Sequence, residues 1–207
     1  MAIMPVKPFQ LFGGHAALDL VNTLDNRFVA SGTIELLSGY EDLLNFVQQS
    51  GLLESRQVRR LARRAGSGAT SKLMRQVREL REALASVFYS SNPTHRSPAV
   101  QIIQHFATQA GAHRRLESGS SVTSTGPLTR WTWDFDTAGA GLPLWVLADA
   151  AQNLLTSEDS RRVRPCCRDA CRWLFLDGSK NHSRRWCDMQ VCGNRVKAQR
   201  FQAAHAR

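Results

Sequence analysis

The chain has 207 residues, 43% of them hydrophobic, and a net charge of +10. That length allows one core-bearing domain plus a small appendage, and the composition excludes a largely disordered chain. The apolar runs are far shorter than a membrane span, and the first is broken by His15 and Asp19 with no small-residue cleavage site after it, so neither a membrane association nor a secretory leader is expected.

In chain order, residues 5–14 read as an extended lead-in, and Gly13-Gly14-His15 as a turn feeding a short helix that carries Asp19 and Asn22 on one face. Ser38 and Glu41 have capping-box spacing and predict a helix to about Gln49, with Leu43, Leu44 and Val47 inward. Ser55 opens a helix rich in arginine (Arg56, Arg59, Arg60, Arg63, Arg64), read as a solvated face that could also extend a nucleic-acid surface. Leu73, Val77, Leu80, Leu84 and Val87 fall on one stripe and predict a helix over 71–90, stopped by Asn92-Pro93. A further helix is expected from Pro98 to about Leu116. Residues 122–125 and 130–136 then flank Gly126-Pro127. The alternation of Trp131, Trp133 and Phe135 with polar residues predicts a β-hairpin near 121–136 with an aromatic core face. Pro143 opens a last helix through Leu155, and Ser157 to Ser160 form a seam. The expectation is a mainly α protein with a small hairpin (α+β): an α-rich domain over 1–158 and a small basic module over 159–207.

That module holds the charge. Residues 161–207 carry 12 Lys and Arg against 3 Asp and Glu, while residues 1–160 are nearly neutral. Such a block is the footprint of a polyanion binder. All five cysteines also lie there. Clustered cysteines without an export signal read as metal ligands or redox groups rather than as a disulfide framework. Cys166-x4-Cys171 and Cys187-x4-Cys192, separated by a connector long enough for a hairpin, make a tetrahedral set of four thiolates for one Zn²⁺. The connector is read as a strand over 172–176, a turn over 177–181 and a return over 183–186. Cys167 also has local spacing to Cys171, so it and, behind it, His182 stand as alternatives to Cys166. A helix should follow Cys192, with Val196 and Phe201 packed inward. The plan is treble-clef-like, and the metal would supply much of its folding free energy.

The residues that carry a resemblance are Cys166-x4-Cys171, Trp173 to Asp177, Ser183-Arg184-Arg185-Trp186-Cys187 and Cys192-Gly193-Asn194-Arg195-Val196-Lys197-Ala198. They resemble the bacterial CGNR zinc-finger family. Gly13-Gly14-His15, Leu18-Asp19 and Asn22-Thr23 resemble the start of the ABATE-type domain that accompanies that finger, and together the resemblance covers most of the chain. Members are described as stress-related transcription regulators. The resemblance implies a sensor or interaction domain followed by a DNA-binding finger in a cytoplasmic, nucleoid-associated bacterial protein.

The candidate nucleic-acid contacts are Arg184, Arg185, Asn194, Arg195, Lys197 and Arg200, since helical Arg and Lys reach phosphates and Arg can read guanine. Offsetting the negative charge of a zinc tetrathiolate is the competing role for these cations, and helix capping is the competing role for Asn194. His15, Asp19 and Asn22 are candidate contacts for a small-molecule effector, with internal hydrogen bonding the other reading of Asp19 and Asn22. A homodimer is expected by analogy with small regulators. Four thiolates leave zinc no open position, and the chain has no P-loop, dinucleotide fingerprint or nucleophile elbow, so an enzyme is not expected. A zinc-stabilised protein-interaction module and a thiol redox sensor are the alternatives.

Overall fold

The computed structural model describes residues 8–64, 67–118 and 129–205. Its elements are α1 (Ala16–Asn22), β1 (Leu24–Asp25), β2 (Ile34–Glu35), α2 (Tyr40–Gln49), α3 (Ser55–Arg64), α4 (Ser67–Tyr89), α5 (Pro93–Gly111), β3 (Arg114–Ser118), β4 (Thr129–Trp133), α6 (Phe135–Ala138), α7 (Leu142–Thr156), β5 (Val163–Pro165), β6 (Leu174–Leu176) and α8 (Asn194–His205). The fold is mainly helical. The strands form three antiparallel pairs, β1 with β2, β3 with β4 and β5 with β6.

The N-terminal core is the predicted α4 stripe packed against α1, α5 and α7. Leu73, Val77, Leu80, Leu84 and Val87 are all buried, with Leu18 and Leu20 of α1, Phe106 of α5 and Leu144 and Leu147 of α7. Each such side chain contributes about 1.5–3 kcal/mol by leaving water. Arg81 is buried in this core, and its fork meets both Glu35 oxygens at 2.7 and 2.8 Å. This bidentate bond ties the β1–β2 ribbon to α4 and satisfies a cation that would otherwise be costly to bury.

Several boundaries differ from the sequence expectation. The cap of α2 sits one residue later than Ser38: Gly39 is the N-cap, and the Asp42 carboxylate accepts the Ser38 and Gly39 N–H groups at 2.9 and 3.1 Å. Helix α5 starts five residues before Pro98, because Asn92 caps it at Thr94 N–H (2.9 Å) and Pro93 fits the first turn. It ends at Gly111, and the residues beyond pair as β3 with β4 instead of continuing the helix. A hairpin-type pair therefore exists, but its first strand is 114–118; the expected strand 122–125 lies outside the described residues. The alternation also stops early, where Asp134 caps α6 by accepting from Asp136 and Thr137. Trp131 is 56% exposed rather than core, and the Arg114 guanidinium lies over it.

In the C-terminal module, β6 pairs with the upstream β5 (Val163 opposite Leu176, Pro165 opposite Leu174) and not with 183–186. The first cysteine turn is thus the tip of a hairpin. The return segment is held instead by the buried Asp177, whose carboxylate accepts from Ser179 N–H (3.0 Å), Ser179 Oγ (2.6 Å) and Arg184 N–H (3.0 Å). Those bonds, led by the Ser179 hydroxyl, hold the Asp177 carboxyl below its usual range.

Candidate metal centre

The centre is built on the two faces of β6. Leu174 and Leu176 pack into the helical core, while Trp173 and Phe175 face a second, smaller cluster with Cys166, Cys187 and Cys192. Period-two alternation lets the four residues 173–176, β6 and the residue before it, serve both cores. Among the described residues the small cluster contains two large buried side chains besides its cysteines, Trp173 and Phe175. With so small an apolar core of its own, the module would gain stability from a metal held by its cysteines as well as from the packing of β6 on the helical core.

Each cysteine pair is set by its own turn. In the first, Cys166 N–H donates to Trp173 O (2.8 Å) and Cys171 N–H to Arg168 O (2.9 Å). Arg172 takes a left-handed conformation at φ 59°, which turns the chain from the knuckle into β6. In the second, Asp188 accepts Val191 N–H at 2.7 Å and caps a π-helical turn, Met189–Gly193, that runs into α8. A side chain at Gly193 would meet the Met189 sulfur and Trp186. The Arg184 fork, lying 4.6 Å over the Phe175 ring, donates to Trp186 O (2.8 Å) and to Cys187 O.

These turns bring the sulfurs of Cys166, Cys171, Cys187 and Cys192 within 4.8 Å of one another. Cys171 to Cys187 is 3.7 Å, and Cys187 to Cys192 is 3.6 Å. A Zn–S bond of about 2.3 Å in a tetrahedron requires sulfurs about 3.8 Å apart, so the donor set fits zinc in type, number and spacing. The thiols perturb one another strongly. Hydrogen bonds from Cys171 and Cys187 push Cys166 far below an ordinary thiol, and the bond to Cys166 pushes Cys171 and Cys187 up. All four sulfurs can be thiolates at this spacing only around a divalent cation, and Arg168, 4.0 Å from the Cys192 sulfur, adds positive charge. Cys167 is exposed and points away, its N–H bonded to Arg185 O at 2.9 Å. His182 lies near Asp177 O and is outside the cluster. Cys166 is therefore the fourth donor.

The other candidate residues fall into two groups. Arg185, Asn194, Arg195, Lys197 and Arg200 are exposed. Asn194 is the C-cap of the π-helical turn, its backbone N–H donating to Met189 O, while the Asp188 side chain caps the start of that turn. Arg184 is exposed too, but its guanidinium is engaged by the carbonyls of the finger. Helix α8 has no buried residue, and Phe201, expected inward, is 65% exposed. The helix therefore stands off the body of the protein.

His15, Asp19 and Asn22 form the seam between the two modules. Asn22 clasps the β6 backbone twice, donating Nδ2–H to Leu174 O and accepting Leu174 N–H on Oδ1, both at 2.9 Å. Asp19 accepts Gly13 N–H at 2.7 Å, and Gly13 O in turn accepts Leu176 N–H at 2.8 Å. Only glycine fits there, since a Cβ on Gly13 would lie 2.8 Å from the Asp19 carboxylate. Burial raises Asp19 to about 6 against the pull of the Gly13 hydrogen bond. His15 caps α1 by accepting Ala17 N–H at 3.2 Å, and burial holds its imidazole below the ordinary histidine value while Asp159 opposes this. The cavity beside Asp19 and Asn22 measures about 10 Å³, room for one water and not for an organic effector.

Two further bonds at the seam had no signal in the sequence. Trp173 Nε1 donates to Asp25 Oδ1, and Tyr89 OH donates to Arg172 O, both at 2.8 Å. Both residues look like ordinary core or surface groups until the modules are placed together.

Residues 14–158 match the family model ABATE, described as "Putative stress-induced transcription regulator", and residues 162–205 match the CGNR zinc finger. A search of curated proteins returned no match. No helix among the described residues is long and apolar enough to cross a membrane.

Proposed function

We propose that this chain, which belongs to the family ABATE ("Putative stress-induced transcription regulator") and carries a CGNR zinc finger, acts by binding duplex DNA through that finger. The observation that carries the reading is α8. It follows directly on the last zinc ligand, buries none of its residues, and exposes Arg195, Lys197 and Arg200 with no carboxylate partner among the described residues. A 12-residue helix is about 18 Å long and marginal by itself. Zinc fixes its first turn, and a groove lined with phosphates would satisfy its cations.

Within this reading the metal is structural. Four thiolates complete zinc's tetrahedral preference and leave no position for water or substrate, so no catalysis is assigned. The test is fluorescence anisotropy of zinc-loaded protein with duplex DNA between 50 and 200 mM salt, followed by selection from random duplexes. Binding that weakens steeply with salt and an enriched sequence motif support the reading; absence of binding at low salt refutes it.

One observation favours a second reading, a protein-interaction module. Phe201 is 65% exposed and stacks on His205 at the free end of α8. Under that reading Phe201→Ala abolishes a defined complex in a pull-down, and DNA binding stays weak and nonspecific.

A further inference from the structure

We propose that α3, in the N-terminal domain, is a second phosphate-binding surface that grips the backbone of the DNA engaged by the finger. The inference rests on the DNA-binding reading above and extends it to a part of the chain remote from the zinc. Helix α3 has five arginines in ten residues and no acid. Val58 and Leu61 hold its inner side, and all five arginines are exposed around one surface depression of about 410 Å³.

Two of the arginines are anchored. Arg60 and Arg64 share Asp136 at 3.1 and 3.4 Å, and Arg60 lies 5.0 Å over the Phe135 ring. Arg56, Arg59 and Arg63 have no carboxylate partner among the described residues. Like charges three and four apart on a helix repel by about 0.2–0.5 kcal/mol per pair, and α3 contains several such pairs with a single shared acid to offset them. A polyanion relieves that repulsion.

The geometry selects the kind of polyanion. Arg56, Arg59 and Arg63 follow one stripe, and the seven steps from first to last span about 10 Å at 1.5 Å per residue. Measured along the DNA axis, where one strand rises about 3.4 Å per phosphate, that is about three base-pair steps. The exposed face offers only Ser55, Gln57 and Ala62 besides arginine, so it lacks the aromatic or aliphatic anchor on which protein interfaces are centred. The surface therefore fits a phosphate backbone, read without regard to base sequence.

The experiment compares zinc-loaded full-length protein with R56Q/R59Q/R63Q and, separately, R195Q/K197Q/R200Q, using anisotropy on a 30-bp duplex over a salt series. Zinc content and thermal midpoint verify that the exposed substitutions leave the fold intact. The α3 variant is expected to bind more weakly, with the slope of log K against log salt reduced by about 2–3, at about 0.9 per phosphate contact. It is also expected to select the same base sequence as the unmodified protein. An α3 variant with unchanged affinity and slope overturns this inference and leaves the finger reading standing, and the same result is expected if α3 docks an acidic protein instead. A finger variant that binds like the unmodified protein overturns the finger reading alone. Loss of all duplex binding by the unmodified protein overturns both.

Discussion

Asn22→Ala should detach the finger from the helical domain without touching a zinc ligand. Asn22 is buried, and its amide makes two 2.9 Å bonds to the N–H and C=O of Leu174, 152 residues away. Alanine removes both partners and leaves two backbone groups in an apolar setting. Each orphaned group costs about 1–3 kcal/mol, so the pair costs about 3 kcal/mol even with partial relaxation. At about 1.4 kcal/mol per tenfold, opening of the seam becomes roughly a hundredfold more frequent. Native-state hydrogen exchange is the direct assay: Leu174 and Leu176 amides should lose about two decades of protection, while Leu80 on α4 loses much less. Zinc transfer to a chromogenic chelator should accelerate in parallel, because Trp173 and Phe175 on the same strand wall the sulfur cluster. Unchanged protection at Leu174 and Leu176 in a variant that keeps its zinc would refute the reasoning, and Asn22 would then be a passive core residue.

Two further outcomes follow from the same geometry. Cys166→Ser should reduce zinc from one per chain to well below it and melt the segment 163–205, whereas Cys167→Ser should retain full zinc; elemental analysis with circular dichroism separates the two, and equal losses would contradict the donor set. Asp19→Asn keeps an oxygen for the Gly13 N–H but removes a buried charge. The folded Asp19 carboxyl is raised to about 6 from 3.8, so its stabilising, protonated form is fully present below about pH 4 and lost as pH rises through about 6. Relative to Asp19→Asn, the unmodified protein should therefore gain about 1 kcal/mol between pH 7 and pH 5, measured by urea titration at each pH. A constant difference would mean that burial does not perturb Asp19.

How much was legible in the sequence depended on how local the determining signal was. The α4 stripe and the two x4 cysteine spacings are local, and both pointed to the structure that forms. The ambiguity between Cys166 and Cys167 was also local, but it is resolved by a distant bond: Cys167 N–H pairs with Arg185 O, which turns its side chain outward. Pairing of β6 with β5 rather than with 183–186 could not be read from composition. The chosen strand is three residues long and contains Pro165, and the rejected return is occupied by the Asp177 staple. Helix α5 begins ahead of Pro98 because Asn92-Pro93 supplies the cap and the first-turn proline five residues earlier, a pair that also reads as the stop of α4. The Gly13–Asn22 motif is visible as a set of unusual polar residues, and internal hydrogen bonding of Asp19 and Asn22 is the reading the structure bears out, but the partner, Leu174, lies in the other module and has no local signal.

That last displacement changes how the two modules relate. Asp19 and Asn22 carry the polarity expected of a small-molecule site, yet the groups they bind belong to the chain itself, Gly13 and Leu174. The N-terminal domain therefore treats strand β6 as its ligand. β6 is also the wall of the metal cluster, and the Arg172 carbonyl just before it is held by Tyr89 of α4. Whatever shifts α1 or α4 must move the knuckle that positions Cys171, and whatever removes zinc must loosen the strand that Asn22 grips. Because the coupling is reciprocal, zinc should stabilise the closed seam at α1, and the Asn22 clasp should tighten zinc binding at equilibrium, by the same free energy. A displacement of α1 or α4 thus has a short physical route to the first cysteine turn, through β6 and the hydrogen bonds of Asn22 and Tyr89.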